Sequence, residues 1–382
     1  REQFLALGHH DGSGDGFNMT ALSMRLSGYR NGVSVRHGEI TRAMWHDLWP
    51  GVEAPLAPIT SITNGVHMPT WISGTLQELL NRYLPEGWWE NLQNPDLWSN
   101  VQNIPDEELW AVKSQNRQDL LEFLREYSRG RWSTGELDTK QVVAGGPFLE
   151  RRPLTIGFAR RFATYKRATL IFHDADRLAR ILTNPERPVQ LIFAGKAHPA
   201  DDGGKQLIQE IFWRSLDPRY QGHIAFAEDY DMLLAERLYA GVDVWLNNPR
   251  APLEASGTSG MKAAANGALN LSILDGWWIE GWHANEETGW GIQPSNLPDG
   301  AGDQADAEAL YNVLETEVVP LFYERDEFDV PRQWIARSKD AIRTLGPLFS
   351  SQRMVIDYIT ELYTPACEGG LRWVETAGAA KR

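Results

Sequence analysis

The sequence predicts an α/β fold: a doubly wound, Rossmann-like sheet preceded by a helical segment. Three observations carry that expectation. After Pro153, short apolar runs alternate with stretches of helical periodicity. Loops rich in glycine or charge separate each run from the next helical stretch, which is the order of successive βαβ units. The first fifty residues read as helical with a loop.

In chain order, residues 18–26 and 40–48 place apolar side chains at helical intervals, with a glycine-containing stretch at 27–33 between them. Residues 50–58 are proline-rich and read as a connector. Residues 88–126 hold two or three helices, with Pro105 at a helix start, and 129–147 read as a glycine-rich loop. Residues 154–159 form the first strand, followed by a basic loop and a helix from Ala168. Strands at 189–194, 223–227 and 242–246 follow, with helices from Asp202 and over 230–239. A helix over 259–266 leads into a fifth strand at 268–273, and helices over 308–324 and 333–363 close the chain. Sheets of this type bind ligands beyond the carboxyl ends of their strands.

With 382 residues the chain holds two domains, or one and part of another. Apolar residues at 42% and charged residues at 23% are those of a soluble globular protein, and no long apolar run is present to cross a membrane. The net charge of −14 argues against nucleic acid as a partner, so any anion site must be built locally from clustered Arg and Lys. Cys367 is the only cysteine, which fits a reducing cytoplasm and excludes an intrachain disulfide. Sixteen Trp suit either sugar stacking or core filling. The chain starts at Arg1 without a signal-peptide pattern, and a fragment or truncated gene is expected.

Two clusters carry chemistry. Arg160, Arg161, Lys166 and Arg167 put four cations in eight residues directly after the first strand, a place for an oxyanion, though also compatible with a solvated basic loop. The run Glu254-Ala-Ser-Gly-Thr-Ser-Gly-Met-Lys262 is small at 255–260, which lets backbone approach a ligand at a helix start. Glu254 is suited to accept sugar hydroxyls, and Lys262, one turn into the helix, is a candidate Schiff-base former. A capped turn with an exposed lysine is the plainer alternative. Thr63-Asn64-Gly65-Val66-His67 reads as a tight turn with a structural histidine, and His9-His10-Asp11 lacks the second spaced pair of a zinc site.

The run from Glu254 to Lys262, followed by Asn266-Gly267-Ala268-Leu269, resembles the cofactor signature of the α-glucan (glycogen, starch, maltodextrin) phosphorylases, retaining glycosyltransferases of the two-domain GT-B type. Arg160-Arg161 with Tyr165-Lys166 resembles their phosphate-binding segment. Thr63-Asn64-Gly65 through Trp71 resembles the start of their C-terminal domain, and Tyr230, 24 residues before Glu254, has its counterpart. The resemblance covers nearly the whole chain. It implies a helical end of a truncated N-terminal domain over 1–60, a cofactor-anchoring Rossmann-like domain over 61–345 and a C-terminal helix and tail over 346–382. It also implies that Lys262 holds pyridoxal 5′-phosphate as a Schiff base. Thr258 and Ser259 N–H groups and Arg160 would cradle its phosphate, while Tyr230 and Trp71 pack by its ring. Arg161 and Lys166 would hold the substrate phosphate. Tyr165, Glu254, Ser256, Gly257 and Asn64 would contact the glucose. The implied reaction takes an α-1,4-glucan and inorganic phosphate to a shorter glucan and α-D-glucose 1-phosphate with retention.

Some features depart from the pattern. Arg160 stands where lysine is usual, and Val66-His67-Met68-Pro69 leaves the role of His67 open. The family's N-terminal half, with a cleft histidine and a glycine-rich loop, does not occur here, so this polypeptide alone is expected to be inactive. Family dimers often use contacts in that half, and a homodimer is implied only for a full-length enzyme. Two rival readings stand beside this one. A nucleotide-sugar glucosyltransferase on the same fold would carry a second Glu eight residues after the first, where this chain has Lys262. A non-catalytic glucan-binding remnant is the other.

Overall fold

The computed structural model describes residues 2–10 and 16–379. Six strands build one parallel sheet: β1 (Leu154–Ala159), β2 (Val189–Ala194), β3 (Ile224–Ala227), β4 (Val244–Asn247), β5 (Leu269–Ile273) and β6 (Gly289–Ile292). Their spatial order is β3-β2-β1-β4-β5-β6. β1 pairs with β2 from Leu154 opposite Val189 to Ala159 opposite Ala194, and with β4 at Ile156 opposite Val244. Strands β1 to β5 are buried at every residue, the signature of a parallel sheet covered on both faces. The order reverses between β1 and β4. Their connections leave in opposite directions there, and sheets of this type bind ligands beyond the carboxyl ends at that point.

Six helices matter for the site: α1 (Asp106–Ser133), α2 (Asp202–Ser215), α3 (Met232–Gly241), α4 (Ser259–Ala264), α5 (Trp277–Ala284) and α6 (Arg332–Leu348). Aspartates cap two of them. Asp201 accepts from Gly204 N and Asp231 from Leu234 N, both at 2.9 Å, satisfying donors that a first helical turn leaves over. Helix α1 supplies two buried cations to the sheet. Arg117 pairs with Asp243 at the start of β4, and Asp243 also accepts Thr155 N of β1 at 3.0 Å. Lys113, 2% exposed, donates to three carbonyls: Val242 at 3.1 Å, Asn266 at 3.2 Å and Ala240 at 3.4 Å. Burial pushes its amine down to about 8.

The segment before the sheet is tied to it. Asn31–Gly32 pairs in parallel with Thr60–Ser61. Val66 N donates to Phe349 O and Ser351 N to Val66 O, both at 2.8 Å. Gly65 is forced by that crossing, since a Cβ there would stand 2.2 Å from Ser350 O.

Several elements differ from the sequence-based expectation. Residues 129–147, expected as loop, hold the end of α1 and a helix at Thr139–Ala144. Gly130 faces open space in α1, and a reciprocal Asp138–Gln141 capping box starts the second helix. The helix expected from Ala168 begins instead at Ala175, capped by Asp174. Arg167 sits before it at φ 47°, its guanidinium bound to Asn248 O at 3.0 Å and Pro249 O at 2.9 Å. β6 differs from the expectation: two glycines in four residues interrupt the strand-favouring Trp290 and Ile292, yet the glycines fit because any Cβ at 289 would strike Asn270 O at 2.3 Å. The helix expected over 308–324 starts at Asp299 and passes through a π turn at Leu314–Val318. No helix of the described residues is long and apolar enough to cross a membrane.

Candidate active site

The carboxyl ends of β1 and β4 gather the two clusters. Arg160 is the first residue after β1, and Asn247 ends β4. Arg160 donates to Asn247 Oδ1 at 2.8 Å and to Glu254 Oε2 at 2.6 Å. Lys166 Nζ donates to the same Glu254 oxygen and lies 4.5 Å from the centre of the Tyr165 ring. Arg160, Lys166 and Glu254 are 9%, 7% and 8% exposed, so two cations and one carboxylate share a largely dry pocket. Burial, reinforced by the Arg160 charge, pushes the Lys166 amine down to about 8, and the Glu254 carboxylate opposes that fall. Burial also raises the Tyr165 hydroxyl. Arg161, exposed, stands at the rim.

The Glu254 loop is held from behind. Asp275, just beyond β5, accepts Glu254 N and Gly276 N at 2.9 Å each. Trp277 N donates to Ser256 O at 2.9 Å, and Ser34 Oγ donates to Ala255 O at 2.7 Å. Asp275 is 3% exposed, and burial raises its carboxyl to about 6. Gly276 must be glycine: at φ 54°, a Cβ would meet Ser256 O at 2.4 Å. Gly257 takes φ 83°. Ser256 Oγ and Arg160 Nε are buried with no hydrogen-bond partner.

Lys262 on α4 stands in different surroundings. Its Nζ lies 3.7 Å from the centre of the Trp71 ring and 5.5 Å from that of Tyr239. Burial alone lowers its amine. Tyr239 meets Trp71 edge-on at 5.4 Å, and its hydroxyl lies 3.1 Å from that of Tyr230. Both hydroxyls are raised by burial. Asn266 ties this wall together. It donates to Trp71 O at 2.6 Å and Lys262 O at 3.0 Å, and accepts Ser73 N at 2.8 Å. Ser259 links the two walls: its hydroxyl accepts Trp245 Nε1 at 3.1 Å and reaches Asn247 Oδ1 at 3.5 Å. Thr258 is the residue before α4.

The structure thus brings Arg160, Tyr165, Lys166 and Glu254 together, and separately Trp71, Tyr230 and Lys262. Asn64 is bound through its backbone, N–H to Val33 O at 3.1 Å and carbonyl to Arg353 at 3.2 Å. Its neighbour Thr63 donates to Glu280 of α5 at 2.7 Å. His67 is exposed and bonds Thr70 Oγ1 at 2.8 Å. His10 pairs with Asp47 at 3.1 Å, and Asp11 of the His9-His10-Asp11 run lies outside the described residues. Tyr239, Asn247, Asn266 and Asp275 were not singled out as site residues from the sequence. Of these, Asn266 alone carries a signal, since it opens the Asn266-Gly267-Ala268-Leu269 run that follows Lys262.

Residues 9–288 match the model of the carbohydrate phosphorylase family. A glycogen phosphorylase of Aquifex aeolicus is 51% identical over 350 residues, covering 92% of this chain and 50% of the relative. A maltodextrin phosphorylase of Thermococcus litoralis is 45% identical over 368 residues, covering 96% and 42%. A glycogen phosphorylase of Mycobacterium tuberculosis is 44% identical over 381 residues, covering 99% and 43%. The chain spans about half the length of these relatives or somewhat less. With a two-cation pocket at the sheet's switch point, a small-residue turn leading to a desolvated lysine, and these matches along nearly its full length, the chain belongs to the carbohydrate phosphorylase family.

Proposed function

We propose that this chain forms the cofactor-holding part of an α-1,4-glucan phosphorylase. Such an enzyme moves glucose from the non-reducing end of an α-glucan to inorganic phosphate, giving α-D-glucose 1-phosphate with retention. The observation that carries the reading is Lys262: an amine depressed by burial, stacked on Trp71, and paired with no carboxylate among the described residues. That is the setting of a lysine that condenses with an aldehyde. A retaining sugar-nucleotide transferase would need a carboxylate at this position, which the chain does not supply.

The residues fit pyridoxal 5′-phosphate. Lys262 would hold it, with Trp71 and Tyr230 beside the ring and Arg160 and the Thr258 and Ser259 N–H groups toward its phosphate. The buried Arg160 Nε and Ser256 Oγ, both without partners, are polar atoms that a ligand would satisfy. When bound, the cofactor supplies a phosphate that tunes the substrate phosphate as acid and then as nucleophile. Arg161 and Lys166 hold that substrate phosphate and offset the repulsion between two anions in contact. Glu254, Ser256, Gly257, Tyr165 and Asn64 orient the glucose.

The strand order supports a doubly wound, GT-B type architecture, with 61–345 as the cofactor domain, 1–60 as the helical end of its partner domain and 346–382 as the closing helix and tail. A homodimer of the full-length enzyme and a cytoplasmic location belong to the same reading. Borohydride reduction of the chain with pyridoxal phosphate, followed by peptide mass mapping, is expected to place the adduct on Lys262. An adduct spread over surface lysines, or none, sinks the assignment.

A further inference from the structure

Glu254 lies where an anion would be held. One oxygen, Oε2, accepts from Arg160 at 2.6 Å and also from Lys166. All three side chains are buried, so solvent screens little between them. A phosphate entering this pocket meets a carboxylate between its two cations, and neighbouring anions disfavour one another. The loop itself is anchored, because Glu254 N is bound to Asp275 Oδ2 at 2.9 Å. The carboxylate therefore exchanges partners by turning about its side-chain torsions, with the backbone left in place. Its other oxygen lies beside Gly257, where an added Cβ would stand 3.7 Å from Oε1 and 3.3 Å from Cγ. Glycine keeps that side approachable. Ser256 Oγ, buried without a partner, adds a second group able to bond a hydroxyl on the same loop.

We propose that Glu254 is a built-in counter-ion that couples sugar binding to phosphate binding. Without sugar, its carboxylate neutralises Arg160 and Lys166. A sugar hydroxyl that draws the carboxylate toward itself frees Lys166 for the substrate phosphate and Arg160 for the cofactor phosphate beside it. The identity of the two ligands rests on the phosphorolysis reading. Linkage makes the coupling mutual, so phosphate also strengthens sugar binding.

Calorimetric titration of inorganic phosphate into the full chain at neutral pH tests this. Glu254→Gln keeps the side-chain shape and removes the charge, and is expected to bind phosphate about tenfold more tightly or better. Adding Lys166→Met to that variant cancels the gain. Glu254→Asp, one methylene shorter, holds at most one cation and is expected to show a smaller gain of the same sign. It decides the question if Glu254→Gln does not fold. Phosphate affinity that is unchanged or weaker in the folded variant overturns the proposal. Borohydride trapping on Lys262 in the same samples reads the cofactor assignment separately. Trapping without the affinity gain removes the coupling alone, and a gain without trapping removes the cofactor assignment alone.

Discussion

Lys166 and Lys262 are both amines lowered by burial, yet their surroundings have little in common. Lys166 has a carboxylate partner and a guanidinium neighbour in one dry pocket. Lys262 has aromatic faces only. The first is part of a balanced charge cluster, in which each member depends on the others for compensation. The second is nearly independent of any charge. A buried amine that shares a carboxylate with a guanidinium is organised to hold an anion; one set against indole and phenol rings leaves no carboxylate uncompensated when it loses its proton, and can then act as a nucleophile.

The sharpest way to break that contrast is to remove Glu254. Glu254→Ala leaves two buried cations uncompensated, and urea unfolding at neutral pH is expected to show a loss of about 3–5 kcal/mol. A loss below about 1 kcal/mol would mean that the cluster is wetter than its burial indicates.

A pH experiment comes next in size. The Lys166 amine titrates near 8 in the folded chain and near 10.5 when unfolded. Between those values the unfolded state binds more protons, so stability rises with pH through that window. Lys166→Met is expected to remove about 2–3 kcal/mol of this rise, while the similar contribution of Lys113 remains. Equal slopes in wild type and variant would refute the depressed amine.

Gly257→Ala probes the loop between the two lysines. A side chain at φ 83° and a Cβ 3.3 Å from Glu254 Cγ are expected to cost about 1–2 kcal/mol, read from the shift in melting temperature. The smallest effect belongs to the aromatic wall. Lys262→Met removes a charge that no carboxylate compensates, and a thioether suits the Trp71 face. Stability is expected to stay within about 1 kcal/mol of wild type while the borohydride adduct disappears.

Much of this arrangement is legible in the residue order. Strands β1 to β5 are mostly apolar and buried on both faces, and Arg160, Glu254 and Lys262 lie in loops or a helix that adjoin those strands. β6 is not legible, because its glycines are selected by contact with Asn270 of β5 and Trp282 of α5, which only the folded chain brings against them. Asp275, Tyr239 and Asn247 escape for a related reason. Each acts on the site across a tertiary contact and sits in no local pattern of charge or spacing. The charge clusters themselves are visible in the sequence, but not that one oxygen of Glu254 would serve both Arg160 and Lys166, since that depends on how two loops from neighbouring strands converge.

Lys113 can be restated in the language of coordination chemistry. Its ammonium is a tethered monovalent cation with three carbonyl ligands, drawn from the end of α3, the approach to β4 and the turn after α4. One of those ligands is Asn266 O, and the Asn266 side chain binds both Trp71 and Lys262. A metal ion in that position could be chelated or exchanged. A cation covalently fixed to α1 cannot, so the frame around Lys262 is insensitive to which ions the solution contains. Acylating that one amine before the chain folds would force a bulkier group into the buried place and leave a single N–H for three carbonyls, and is expected to leave the frame unassembled.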